Sequence, residues 1–81
     1  MRQYFAALAA GVAHYREVAE LTQEDLAIRV GVTQRTIRAI EAGTANPAIA
    51  SILRIQAVLS VPSLELLFGD QFPTSAFRPR R

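Results

Sequence analysis

The chain has no cysteine, no tryptophan and a single histidine among its 81 residues, and each absence removes a class of protein. Without thiols there is no disulfide framework, and with one imidazole there is no Cys/His zinc site, so neither staple of small folds is at hand. A lack of thiols also agrees with a reducing compartment. His14 has no second His and no Cys four residues away, so a metal-ligand role is not expected of it. A glycine-rich phosphate loop, a nucleophile elbow and paired carboxylates in an apolar setting are all missing. The expectation is a non-enzyme that needs no cofactor. No apolar run approaches the roughly 18 residues of a membrane span, so no membrane partner is expected either. Lysine is the last absence, since all nine basic residues are arginine. Arginine favours planar, bidentate contacts with phosphates and base edges over a diffuse point charge.

What is present is 51% hydrophobic and nearly neutral, with a net charge of +2. That length suits one domain, and a chain so short buries only about 60 to 65% of its unfolded surface, so dense helical packing is required. Positions Met1 to His14 imitate a short secretory signal, with Arg2 ahead of the apolar stretch from Tyr4 to Ala13. The apolar pattern continues through Tyr15, Val18 and Leu21, which a cleavage would cut apart, so an amphipathic first helix is the better reading.

Phe5, Leu8, Val12, Tyr15 and Val18 step by three or four, the period of a helix with one buried stripe. This helix should end near Ala19 or Glu20. Gly11 in its middle costs about 1 kcal/mol against Ala, which close packing of another helix would explain. Thr22 followed by Gln23, Glu24 and Asp25 matches an N-cap with acids in the first turn, opening a second helix that carries Leu26, Ala27 and Val30 inward. Gly31 should stop it in a left-handed C-cap. Two residues later Thr33 repeats the cap, Thr36, Ile37 and Ile40 follow, and Gly43 ends a third helix. Helices joined by so short a link cannot lie antiparallel and must cross steeply, which is a helix-turn-helix.

Asn46-Pro47 should open a fourth helix, with Pro at the first helical position and Ile49, Ile52, Ile55 and Leu59 inward, Leu53 beside them. Ser60-Val61-Pro62 breaks it, and Ser63 to Phe68 reads as a short fifth helix ended by Gly69-Asp70. Strict two-residue alternation, the mark of a half-buried strand, is not seen, nor is any internal repeat. The reading divides the chain into a domain over 1–69 and a tail over 70–81, irregular or ordered by a partner. Arg78, Arg80 and Arg81 alternate with Pro79 in that tail, either as a solubilising end or as a contact for nucleic acid or an acidic partner.

From Leu21 to Leu67 the residues Leu21-Thr22-Gln23-Glu24-Asp25-Leu26-Ala27, Gly31-Val32-Thr33, Thr36-Ile37, Ile40-Glu41-Ala42-Gly43, Asn46-Pro47 and Leu66-Leu67 follow a specific pattern. In these the chain resembles the Cro and phage-repressor type of helix-turn-helix domain, the XRE family. The resemblance implies an all-α, compact five-helix, lambda-repressor-like fold with the helix-turn-helix at its second and third helices. It implies a transcription regulator, in particular a repressor, that binds double-stranded DNA in the cytoplasm at the nucleoid. Gln23 to Val30 would brace the reader helix, Gln34 to Ala42, in the major groove.

Family members place base-reading side chains at the positions of Gln34, Arg35 and Arg38, and phosphate contacts are expected at Gln23, Thr33, Thr36 and Thr44. Similar domains also pair an Arg of the first helix with a Glu of the third, which here implies a partly buried ion pair between Arg16 and Glu41. The chain departs from the family at Glu20, where Gly is usual and where the first turn must close differently. It departs again at Thr44 and Ala45, where basic residues are common. Ala48 replaces a capping Ser, so Asn46 would cap instead. Gln56 replaces a small apolar residue and would meet a polar partner or lie at a dimer surface.

A single reader helix contacts few base pairs, so a homodimer on two half-sites about 34 Å apart is expected. Leu64, Leu67 and Phe68, with Phe72 and Phe77 of the tail, are the candidates for its interface. The alternative is an antitoxin or other partner-binding module, in which the tail folds on a second protein.

Overall fold

The computed structural model describes residues 2–69. Five helices follow in order: α1 (Arg2–Val18), α2 (Gln23–Val30), α3 (Gln34–Ala42), α4 (Ile49–Val58) and α5 (Leu64–Phe68), with no strand among the described residues. The all-α, five-helix reading therefore holds. Phe72, Phe77, Arg78, Arg80 and Arg81 of the tail lie outside the described residues.

The core is apolar throughout: Leu8, Val12, Leu26, Ala27, Val30, Ile37, Ile40, Ile52, Ile55, Leu59, Val61 and Leu67 are buried together. Helix α1 packs on α3 and α5, α2 on α3 and α4, and α4 touches α5. The buried line of α1 differs from the expected stripe. Leu8 and Val12 are buried, but Phe5 and Tyr15 are half-buried and Val18 is 66% exposed. The inward line advances by four, from Leu8 to Val12 to Arg16, so a guanidinium occupies the place expected of Val18.

Four of the five helices end alike. An amide two or three residues past the end returns to a carbonyl five residues back: Leu21 to Arg16, Val32 to Ala27, Thr44 to Ala39 and Val61 to Gln56. Such an ending places one residue in the left-handed region. Gly31 and Gly43 do so without a Cβ, but Glu20 (φ 60°) and Ser60 (φ 56°) take the same conformation as non-glycines. Glu20 thus closes the first turn in the left-handed geometry itself, and the expected departure is only chemical. The Gln56 amide donates to Val61 O at 3.1 Å, so this side chain closes the α4 turn internally.

Two expectations for α4 are corrected. The helix starts at Ile49 and not at Pro47, and its N-cap is Ala48, which makes no side-chain cap bond; Asn46 does not cap it. Ile49, now the first helical residue, is 66% exposed and Leu53 is 47% exposed. Leu53 lies about 100° round the helix from the buried Ile52, which turns it outward.

Gly11 meets α5. A Cβ built there would fall 1.7 Å from the Leu67 carbonyl oxygen, so the close approach of a second helix requires glycine. That contact also corrects an interface residue. Leu67 is 0% exposed and belongs to the core of the single chain, so it cannot line a dimer surface; Leu64 and Phe68 are half-buried beside it.

Candidate nucleic-acid interface

The Thr22 hydroxyl accepts the Asp25 N–H at 3.0 Å while the Asp25 carboxylate accepts the Thr22 N–H at 3.0 Å, a reciprocal cap that starts α2. The Thr22 N–H donating to it, with the Thr22 hydroxyl beside it, holds the Asp25 carboxyl below its ordinary value. After α2 the chain turns at Gly31 (φ 87°), and Thr33, extended, accepts the Thr36 N–H at 3.1 Å to start α3. Only Val32 and Thr33 separate the left-handed residue from the next helix, which fixes the steep crossing of α2 and α3.

On α3, Ile37 (0%) and Ile40 (2%) face the core, while Gln34, Arg35 and Arg38 are exposed. These three polar side chains have no intramolecular partner among the described residues. The first turn of α3 holds no acid, so the positive end of the helix is uncompensated there, unlike that of α2 with Glu24 and Asp25. Ala42 is exposed and Ala39 half-exposed on the same outer side. Neither is polar enough to stand out as a contact in sequence, yet three- and four-residue spacing from Arg35 and Arg38 is enough to place both there.

The carboxylate of α3 is turned inward. Arg16 donates from Nε to Glu41 Oε2 at 2.6 Å and from Nη2 to Oε1 at 3.0 Å, a bidentate pair with side chains 14% and 7% exposed. Nη1 of Arg16 donates to Leu21 O at 2.8 Å, and the Gln23 amide donates to Glu41 Oε1 at 3.0 Å. One carboxylate therefore ties α1, the start of α2 and the end of α3 together. Donating to Glu41 raises the Arg16 pKa, against the opposing effect of burial. A further approach of Arg16 to Glu17 at 3.8 Å adds little, since Glu17 is 73% exposed.

Of the expected phosphate contacts, Gln23 is half-buried with its amide nitrogen turned to Glu41. Thr33 and Thr36 share a hydroxyl–hydroxyl bond of 3.0 Å. The exposed Thr44 hydroxyl donates to Ala39 O at 3.3 Å. Each keeps further hydrogen-bonding capacity, as an amide has two N–H groups and a hydroxyl two lone pairs. The link from Gln23 to Glu41 is invisible in sequence, because nothing local joins residues 18 positions apart.

A short brace, a left-handed glycine turn and a capped reader helix with a free polar face define a helix-turn-helix protein. The helix-turn-helix family model matches residues 12–66, and the chain belongs to that family. It is 40% identical over 57 residues to an "Uncharacterized HTH-type transcriptional regulator" of Methanothermobacter thermautotrophicus, covering 70% of this chain and 83% of that protein. A second protein so named, from Methanocaldococcus jannaschii, is 42% identical over 48 residues, 59% of this chain and 73% of its own length. No solved structure matches the chain. No helix among the described residues is long and apolar enough to cross a membrane.

Proposed function

We propose that the protein is a repressor that binds operator DNA as a homodimer, each copy laying α3 in the major groove. DNA-binding regulation of transcription follows from the family itself. The observation that carries the finer reading is the outer face of α3: two unpaired guanidinium groups and an amide, no acid among them, on a helix locked from behind by Glu41. The major groove admits one helix and distinguishes all four base pairs. Arg35 and Arg38 suit the O6/N7 edge of guanine and Gln34 the N6/N7 edge of adenine, each bidentate contact contributing about 1 to 3 kcal/mol of discrimination. Gln23, Thr33, Thr36 and Thr44 then hold phosphates on either side.

Two half-sites require two copies, and with Leu67 excluded by burial the candidate interface reduces to Leu64 and Phe68, together with Phe72 and Phe77 beyond the described residues. The site of action is the nucleoid in the cytoplasm, and the C-terminal segment is open to a protein partner.

Selection of bound sequences from a random duplex pool, followed by salt titration, tests the reading. A symmetric motif with at least one guanine per half-site is expected, bound less tightly as salt rises. Alanine at Gln34, Arg35 and Arg38 should abolish the preference. If no motif is enriched, the fold serves as a module that binds another protein, as an antitoxin does, and the operator reading fails.

A further inference from the structure

We infer that the reader helix also carries an apolar contact for the 5-methyl group of thymine, formed by Ala39 and Ala42 beside Arg35 and Arg38. This rests on the reading of α3 as a major-groove helix. Ile37 and Ile40 mark the buried line of α3. On the opposite side, a step of three from Arg35 reaches Arg38 and a step of four reaches Ala39; from these two, steps of four and three both reach Ala42. The four residues close a diamond, with Arg35, Arg38 and Ala42 exposed and Ala39 half-exposed. Gln34 sits at its edge, close to the inward Glu41. Half of the outermost surface is therefore methyl and not donor.

The two methyls are held in place. The carbonyl of Ala39 receives the N–H groups of Gly43, Thr44 and Ala45 and the Thr44 hydroxyl, which fixes this end of α3 to the following loop. Short side chains let the helix approach the base edges, and the apolar feature that the major groove offers there is the thymine methyl. Arg38 and Ala42 are about 6 Å apart along the helix axis, close to two base-pair steps of ~3.4 Å. The half-site should thus hold a thymine one or two steps from a guanine.

The test uses the full chain and the duplex obtained by selection, with each thymine replaced in turn by deoxyuridine, which lacks only the methyl. At one or two positions per half-site the affinity should fall about fourfold, which is ~0.8 kcal/mol for one buried methyl at 1.4 kcal/mol per tenfold. In Ala39→Gly or Ala42→Gly the thymine-to-deoxyuridine ratio at that position should fall to near one. The ratio is taken within one variant and does not respond to a loss of helix stability. Equal affinity for the two bases at every position, a selected site without thymine, or a ratio unchanged in both variants would overturn the inference. A guanine-containing symmetric site that tolerates deoxyuridine throughout removes the methyl contact alone, whereas failure to select any site removes the major-groove reading with it.

Discussion

Gly11 sets two physical effects against each other, and the sign of the outcome tells which one governs. Replacing a mid-helix glycine with alanine favours the helix by about 1 kcal/mol. Here the new Cβ would lie 1.7 Å from the Leu67 carbonyl oxygen and 2.8 Å from its carbon, and the obstacle is backbone, which cannot swing aside. Restoring an ordinary contact moves α5 away by well over 1 Å. Leu67, fully buried, then loses much of its packing, and a gap of 0.5–1 Å already forfeits a quarter to a half of each dispersion contact. Burial of a leucine stabilises by about 1.5–3 kcal/mol, and overpacking typically costs about 1–3 kcal/mol. After the helix gain is subtracted, Gly11→Ala should destabilise by about 1–3 kcal/mol, which lowers Tm by roughly 5–15 °C in a domain of this size. Thermal and urea unfolding followed by circular dichroism measure it, with the exposed Ala10→Gly beside it to calibrate the helix contribution. A Gly11→Ala protein that melts at or above the parent temperature would refute the close approach of α5.

Glu41→Ala leaves Arg16 and the Gln23 amide without their shared acceptor, and should cost about 2–4 kcal/mol and weaken operator binding; unchanged thermal stability would show that the pair does not hold α3. Glu20→Gly should raise stability by about 0.5–1 kcal/mol, since it relieves a left-handed Glu at φ 60°. A lower melting temperature for that variant would contradict the turn geometry. Asp25 is held below its ordinary pKa by Thr22, so its cap contributes fully above the unfolded value near pH 4 and is lost as pH falls through the lower folded value. Asp25→Asn should therefore lose less stability than the parent as pH falls below about 4, and identical acid profiles would count against the reciprocal cap.

Much of this molecule is written in short stretches of chain. Thr22 and Thr33 each satisfy an amide three residues on, and Gly31 and Gly43 take a conformation open to few other residues, so the bounds of α2 and α3 follow from local chemistry. The sequence also marks the exposed polar face of α3, because Ile37 and Ile40 are the only large apolar side chains on that helix. Local rules failed where a neighbour decided. Leu67 reads as one more surface leucine of a short helix until Gly11 lets α5 sink onto α1. Glu20 and Ser60 are not glycines, yet the hydrogen bonds closing α1 and α4 place them in the left-handed region.

The amino-acid order alone therefore determined the number of helices, the turn between α2 and α3 and which side of α3 carries guanidinium groups, since caps, glycines and three- to four-residue spacing act within one or two turns of chain. Tertiary structure alone decided which leucines are core, how near α5 stands to α1, and that the Gln23 amide and Arg16 converge on one carboxylate. Those contacts join residues 18 to 56 positions apart, and no local propensity can encode a distance that exists only once the helices have packed.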